Sequence, residues 1–122
     1  MARILLIDDE ELVRTALRKA LEASDHEVVE AENGDLALDL HKKQPFDLII
    51  TDIIMPGKEG IETIMDLKQE NPELPIIAIS GGGPDRHMTY LETAKFFGAD
   101  HMLTKPFSSE ALHQCVDTCL GK

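Results

Sequence analysis

Five short apolar runs, each followed by a segment of different periodicity, constrain the fold of this chain more than any other feature. The runs occupy residues 4–7, 26–31, 48–50, 76–79 and 101–103. After the first run, apolar residues from Leu12 to Leu21 recur in pairs every four residues, which is the spacing of one helix face. Strands that are apolar on both faces and alternate with helices predict a parallel sheet that is covered on each side.

Turn signals separate the predicted strands and helices. Asn33-Gly34, Pro56-Gly57 and Asn71-Pro72 interrupt the periodic segments, and the later helices are predicted at residues 36–43, 61–67, 86–97 and 111–119. The run at 26–31 carries glutamates, so it suits a half-exposed edge strand. A chain of 122 residues matches the usual length of one domain, and we predict a single domain over residues 1–122.

Acidic residues outnumber basic ones by 23 to 12, which leaves a formal net charge of −11. Such a field repels phosphate backbones, so we predict no contact of this domain with nucleic acid or anionic membrane. Either the acidity serves solubility, or some carboxylates are gathered around a cation; composition alone leaves both readings open. No apolar run approaches the roughly 20 residues of a membrane span, and we predict a soluble, cytoplasmic protein.

Polar residues that suit a functional site directly follow the first, third, fourth and fifth apolar runs. In open parallel sheets, working groups lie beyond the carboxyl ends of the strands, near the point where the strand order reverses. Any one of these residues could simply be a helix cap or a turn residue, but their joint position at one edge favours a site. They are Asp8 and Asp9, Thr51 and Asp52, Ser80, and Thr104 and Lys105.

The residue types at this edge suit the binding of a phosphoryl group. The three carboxylates of Asp8, Asp9 and Asp52 cannot all stay ionised side by side without compensation. Mg²⁺ is the simplest compensation, because it prefers oxygen ligands and shares phosphate oxygens. Lys105 adds a positive point charge, and Ser80 adds a hydroxyl donor.

Four stretches of the chain resemble the receiver domain of two-component response regulators. They are residues 4–10 (ILLIDDE), 46–57 (FDLIITDIIMPG), 79–81 (ISG) and 105–107 (KPF). Each stretch is weak alone, but together they occur in this order at the predicted strand ends, and the resemblance covers residues 3–119. We therefore predict an α/β fold, a (βα)5 doubly wound open sheet of five parallel strands in the flavodoxin-like order 2-1-3-4-5.

The resemblance implies a role for each matching residue at the metal and phosphoryl site. Asp52 would be the nucleophile that accepts a phosphoryl group from a phosphohistidine. Asp52 would also be a ligand of Mg²⁺, which Asp9 would bind directly and Asp8 would help to hold, partly through water. Ile54 would contribute its backbone carbonyl, so its apolar side chain does not spoil the metal site.

The resemblance also implies a conformational switch. Ser80 would move to hydrogen-bond the new phosphoryl group, and Lys105 would pair with it. Met102 stands where a switch aromatic often lies three residues before the lysine, so coupling through an aromatic rotamer is not expected, although a flexible thioether could still repack. The glycines at 81–83 read equally well as a mobile switch loop and as a loosely ordered surface loop.

The implied partner is a sensor histidine kinase or a histidine phosphotransfer protein, and the signal would pass to a further partner or output domain. A homodimer could use the face made by the fourth predicted helix, the fifth strand and the last helix. The chain would assist its own phosphorylation and dephosphorylation without being a turnover enzyme.

Two other classes of function compete with this one. A Mg²⁺-dependent phosphohydrolase can also use an aspartate nucleophile, but it would typically carry Asp-x-Asp after the first strand, whereas Asp8 and Asp9 are adjacent. A flavodoxin-like FMN carrier would need a Ser/Thr/Gly-rich phosphate cradle after the first strand, and that loop lacks one.

Cysteine and histidine residues are interpreted as packing or surface residues. Cys115 and Cys119 lie one turn apart on the last predicted helix, and two ligands are too few for structural zinc; His113 could be recruited only as a third. Reduced thiols packed in a core are the favoured interpretation. The five histidines are scattered along the chain, which favours surface or packing roles over catalysis.

The phosphorylated chain is predicted to lose its phosphoryl group slowly. Neither Ile54 nor Gly82 carries a polar side chain that could orient an attacking water beside the acyl phosphate. Ile54→Asn is therefore expected to shorten the lifetime of the phosphoprotein, measured after the phosphodonor is removed. A wild type that loses phosphate at least as fast as the variant would contradict the prediction.

Overall fold

The apolar runs form one parallel sheet in this computed structural model, which describes residues 2–52, 60–80, 98–104 and 107–121. The strand order is β2-β1-β3-β4-β5, which confirms the predicted order. All four pairings between neighbouring strands are parallel. The strands are β1 (Arg3–Ile7), β2 (Glu27–Ala31), β3 (Leu48–Asp52), β4 (Ile76–Ser80) and β5 (His101–Thr104).

Three strands continue beyond the apolar runs that predicted them. Asp52, Ser80 and Thr104 were expected to follow their strands, but each is the last residue of its strand. The reason is that a sheet ladder is made by backbone groups, so pairing continues after the side chains turn polar. The polar residues at this edge are therefore held by the sheet itself.

Four helices lie among the described residues, and each begins or ends within a few residues of its predicted bounds. They are α1 (Glu11–Glu22), α2 (Gly34–Lys43), α3 (Gly60–Glu70) and α4 (Ser109–Cys119). Asn33 Oδ1 accepts the Leu36 N–H at 2.9 Å at the start of α2, and Ser108 Oγ accepts the Ala111 N–H at 3.0 Å at the start of α4. The helix predicted at 86–97 lies outside the described residues.

The helices cover both faces of the sheet, and they form two separate layers of core. Alternate residues of a strand point to opposite faces, so each strand contributes to both layers. One layer joins α2 and α3 to the sheet through Leu5, Ile7, Ile49, Ala78, Ala37, Ile64 and Leu67. The other joins α1 and α4 to the opposite face through Ile4, Leu6, Ile50, Ile79, Leu17, Leu21, Leu112 and Val116. Of the helices in the described ranges, none combines the length and the apolar character needed to cross a membrane.

The two thiols pack partly buried against the layer of α1 and α4. Cys115 and Cys119 share a side-chain hydrogen bond, which lowers the pKa of Cys115 and raises that of Cys119. His113, the third ligand that a zinc site would need, lies instead 3.3 Å from Ser24 Oγ through its Nδ1. These contacts agree with packed, reduced thiols.

Two histidines are buried and satisfied by backbone donors, as packing roles require. His41 Nδ1 accepts the Phe46 N–H at 3.1 Å, and the two rings are stacked. His26 Nδ1 accepts the Ala2 N–H at 3.1 Å. The bond of His41 links the segment before β3 to α2. The bond of His26 links the residue before β1 to the residue before β2.

The unfolding free energy of the domain is predicted to fall below about pH 6.5, where His41 of the unfolded chain takes up a proton. Burial lowers the pKa of His41, and the nearby charge of Glu70 opposes this only in part. The unfolded chain takes up the proton at about pH 6.5, and the native protein does so only at lower pH. His41 therefore contributes stability that is present above about pH 6.5 and is lost as the pH falls below it.

Urea unfolding from about pH 7.5 to about pH 5 tests this prediction by comparing the wild type with His41→Asn. The Asn side chain keeps an acceptor near the position of Nδ1 but does not titrate in this range. The variant is expected to have a shallower dependence of unfolding free energy on pH, with a constant offset for the lost ring packing. Parallel curves would show that His41 does not contribute.

Candidate functional site

The register of β1 and β3 brings two of the predicted site residues side by side. Ile7 of β1 pairs with Thr51 of β3, so Asp8 and Asp52 follow at corresponding positions at the carboxyl edge. Strand β2 lies on one side of β1, and β3 lies on the other side of β1. This is the point at which the strand order reverses and the loops diverge to leave a crevice.

The carboxyl edge of the sheet continues with the last residues of β4 and β5. Asp52 pairs with Ile79, so Ser80 lies one residue further along the next strand. Ser80 pairs with Thr104, and Lys105 is the next residue of the chain after it. The backbone thus places Ser80 at the same edge as Asp52, while Lys105 itself lies outside the described residues.

The carboxyl groups that face this edge differ sharply in exposure. Asp8 is only 1% exposed and Asp52 is 7% exposed, whereas Asp9 is exposed. Asp8 and Asp52 come two residues after Leu6 and Ile50, so both belong to the face that α1 and α4 cover. A buried carboxylate is costly unless it has partners, and Asp8 Oδ1 accepts the Glu10 N–H at 2.9 Å.

Three consecutive acids form the group that could hold a cation among the residues that the structure describes. The carboxylate oxygens of Asp8, Asp9 and Glu10 lie within 4.8 Å of one another. Glu10 is the N-cap residue of α1, and its side chain makes no capping hydrogen bond. Asp52 is not part of this group, but it ends the strand next to β1.

Glu10 is a residue that the sequence reasoning did not place in the site. The prediction named Asp8, Asp9 and Asp52, because these directly follow or end the apolar runs. The signal available in the sequence was the run of three acids before the first helix, which also suits a helix N-terminus on dipole grounds. The bend of the chain between β1 and α1 is what folds the third acid back onto the first two.

The donor set fits a hard divalent cation. Mg²⁺ prefers carboxylate oxygens and completes its shell with water and phosphate oxygens, so one buried and two exposed carboxylates suit it. Without a cation, three like charges this close repel one another. The residues present are therefore compatible with the Mg²⁺ that the resemblance implies.

Thr51 supports the backbone of Asp52 from the opposite face of the sheet. Its hydroxyl is fully buried and donates to the Asp52 carbonyl oxygen at 2.9 Å. Because this carbonyl lies at the end of the strand, the bond stabilises the last peptide of β3. Sequence reasoning recognised Thr51 only as a polar residue at the strand end.

The remaining predicted residues divide into those the structure describes and those it does not. Met102 lies in β5, is half-buried and packs against the layer of α2 and α3. Ile54 and the glycines at 81–83 lie outside the described residues, as does Lys105. The roles assigned to these residues stay predictions.

The fold and the acidic edge define a doubly wound α/β domain with a cluster of carboxylates at its switch point. A profile of the response regulator receiver domain matches residues 4–117, which is nearly the whole chain. The chain belongs to this family, as its four motif stretches indicated. Accepting a phosphoryl group in two-component signalling is the general function of the family.

Similar proteins include both short and long members. The chain is 34% identical to the chemotaxis protein CheY of Halobacterium salinarum, over 97% of this chain and 96% of that protein. It is also 34% identical to the alkaline phosphatase synthesis transcriptional regulatory protein PhoP of Bacillus subtilis, but there it spans only 49% of the relative. The crystal structure of the receiver domain of NtrX from Brucella abortus superimposes with a TM-score of 0.91 at 29% identity, and each chain is covered to 98%.

Mg²⁺ is predicted to stabilise this protein through Asp9. A free Mg²⁺ concentration one hundred times the dissociation constant would add about 2.7 kcal/mol to the unfolding free energy. Asp9→Asn removes one carboxylate from the acidic group, so it is expected to unfold at a higher temperature than the wild type in chelator and at a lower one in saturating Mg²⁺.

Thermal unfolding with and without Mg²⁺ tests whether the variant is more stable than the wild type in chelator and less stable in Mg²⁺. Asp39→Asn, an exposed position in the middle of α2, makes the same change of charge away from the site. That control should respond to Mg²⁺ as the wild type does. Equal Mg²⁺ stabilisation of Asp9→Asn and the wild type would contradict the prediction.

Proposed function

We propose that Asp52 is the phosphoacceptor of this receiver domain and that it reacts with a sensor histidine kinase or a histidine phosphotransfer protein. The observation that carries the proposal is the position of Asp52. Its carboxylate ends β3 at the switch point, on the strand beside the one that leads into the acidic group. Among the described acids of this edge, it is the one that comes from a different strand.

The transfer is a displacement at phosphorus. A carboxylate oxygen of Asp52 forms the new O–P bond while the P–N bond of the phosphohistidine breaks. The imidazole leaves with that electron pair and regains a neutral ring with a proton from solvent. Such a reaction depends mostly on positioning and on neutralising charge, and the sheet edge supplies the positioning.

Asp8, Asp9 and Asp52 would hold Mg²⁺, with the Ile54 carbonyl oxygen as a further ligand. The cation would neutralise the negative charge that gathers between carboxylates and phosphoryl oxygens. Glu10 belongs to the same acidic group, and we propose that it strengthens the attraction for the cation. Asp8, the buried member, would set the position of the others.

Ser80 and Lys105 would recognise the phosphoryl group once it is formed. Ser80 follows Ile79, the partner of Asp52 in the ladder, so its backbone lies at the end of the strand beside the acceptor strand. Modification adds about −1.5 to −2 charges at the edge, and both residues are suited to respond to it. Met102, two residues before Thr104, would repack in place of an aromatic switch residue.

The domain is proposed to signal through this modification rather than to turn over a substrate. We expect it to act in the cytoplasm, where free thiols such as Cys115 stay reduced. Because the chain spans about half of PhoP and nearly all of CheY, its output would pass either to an attached domain or to a separate partner. A net charge of −11 disfavours direct contact with nucleic acid, and a homodimer would use the face of β5 and α4 with the helix predicted at 86–97.

Labelling with acetyl phosphate or phosphoramidate tests the proposal. The wild type is expected to gain one phosphoryl group in Mg²⁺ and none in chelator, measured by intact mass. Asp52→Asn should gain none in either condition, while Asp39→Asn should behave as the wild type does.

Two results would overturn the proposal. Label that persists in Asp52→Asn would place the acceptor elsewhere, and label that ignores Mg²⁺ would remove the role of the acidic group. Continuous turnover of an aryl phosphate would instead support the phosphohydrolase class. Unfolding midpoints of the variants show whether each protein is folded in the assay.

A further inference from the structure

Arg14 connects the acidic group to the neighbouring strand through two directed hydrogen bonds. This residue lies in α1, and its side chain is only 14% exposed. Its Nη1 donates to the backbone carbonyl oxygen of Asp8 at 2.6 Å, and its Nε donates to Glu30 Oε1 on β2 at 3.1 Å. The guanidinium therefore bridges the residue after β1 and the strand beside it.

The backbone of Asp8 is held on its other side as well. Its N–H donates to the Ala31 carbonyl oxygen at 3.2 Å, which extends the ladder between β1 and β2 by one bond. Its Oδ1 accepts the Glu10 N–H. With the bond from Arg14, the N–H, the carbonyl and the carboxylate of Asp8 each have a defined partner. The hydrogen bond to the Asp8 carbonyl fixes the orientation of the peptide between Asp8 and Asp9. It therefore also fixes the direction in which the backbone leads into Asp9.

Glu30 orients the guanidinium that makes these bonds. Its side chain is 21% exposed, and it also pairs with Arg18, one turn further along α1. The arginine fork is planar and rigid, so a carboxylate on Nε determines where Nη1 points. A lysine in this position would offer donors on a single flexible atom and could not keep both bonds in one fixed plane.

We propose that Arg14, oriented by Glu30, is a positioning residue for the cation-binding carboxylates of Asp8 and Asp9. The inference rests on the proposed function, because it assumes that these carboxylates bind Mg²⁺. It adds a residue from α1 to a site otherwise made of strand ends.

The charge of Arg14 and its proposed positioning role predict opposite effects on Mg²⁺ affinity when the residue is removed. An experiment can therefore distinguish the two. A guanidinium near an acidic group repels a divalent cation, so its removal would tighten Mg²⁺ binding if charge were its only effect. If Arg14 positions the ligands, its removal weakens binding instead. Loss of a residue that orients metal ligands typically costs about 10- to 100-fold in affinity.

Arg14→Met and Arg18→Met provide a matched pair of variants. Both remove one guanidinium that pairs with Glu30 from α1, but the described contacts of Arg18 include none to Asp8. Mg²⁺ titration followed by amide chemical shifts, without any phosphodonor, should give a dissociation constant about 10-fold weaker for Arg14→Met. Arg18→Met should stay within about twofold of the wild type.

Amide hydrogen exchange in chelator gives a second readout that needs no metal. The Glu10 N–H donates to Asp8 Oδ1, so it should exchange faster in Arg14→Met than in Arg18→Met. If Arg14→Met does not fold, Arg14→Lys replaces it, because lysine keeps the charge and loses the planar fork. The expected result for Arg14→Lys is again weaker Mg²⁺ binding and faster exchange at Glu10.

Each outcome decides between the hypotheses. Unchanged or tighter Mg²⁺ binding in the Arg14 variant, or equal weakening in Arg18→Met, would overturn the positioning role while leaving the metal site in place. A wild type that binds no Mg²⁺ would overturn the metal site and with it this inference. Weaker binding confined to the Arg14 variant, with faster exchange at Glu10, would support it.

Discussion

The parallel pairing of β1 with β3 is the constraint on which the rest of the structure depends. Both strands are central and buried, and their register sets Asp8 opposite Asp52. A slip of one residue would turn every side chain of a strand to the opposite face. The buried apolar residues of both layers oppose such a slip, so the same packing that stabilises the sheet also fixes the distance between the acids.

The site brings several like charges close together at one edge of the sheet. A buried Asp8 and two exposed neighbours lie at the end of a strand whose last four residues are apolar and buried. The cost of that arrangement is reduced by the Glu10 N–H, which donates to Asp8 Oδ1, and by the nearby positive charge of Arg14. A divalent cation would complete the compensation, and it could then share the oxygens of a phosphoryl group, which adds negative charge of its own.

Most of the fold follows from local patterns in this sequence. Central strands buried on both faces must be continuously apolar, so β3 and β4 are recognisable without any structure. Helix α1 is predicted by its regular pairs of apolar residues, and α2 begins where Asn33 can cap it. The strand ends are less predictable, because the ladder of backbone hydrogen bonds extends to Asp52 and Ser80 regardless of side-chain polarity.

Within the site, the amino-acid order alone was enough to select Asp8, Asp9 and Asp52, since acids that follow apolar runs of parallel strands must gather at one edge. It was not enough to find Glu10 as a member of the acidic group or Arg14 and Glu30 as its support. The last two are sixteen residues apart, and they meet only because α1 packs back across β1 and β2. Contacts of this kind depend on the docking of a helix against a sheet, which the tertiary structure decides and no local pattern encodes.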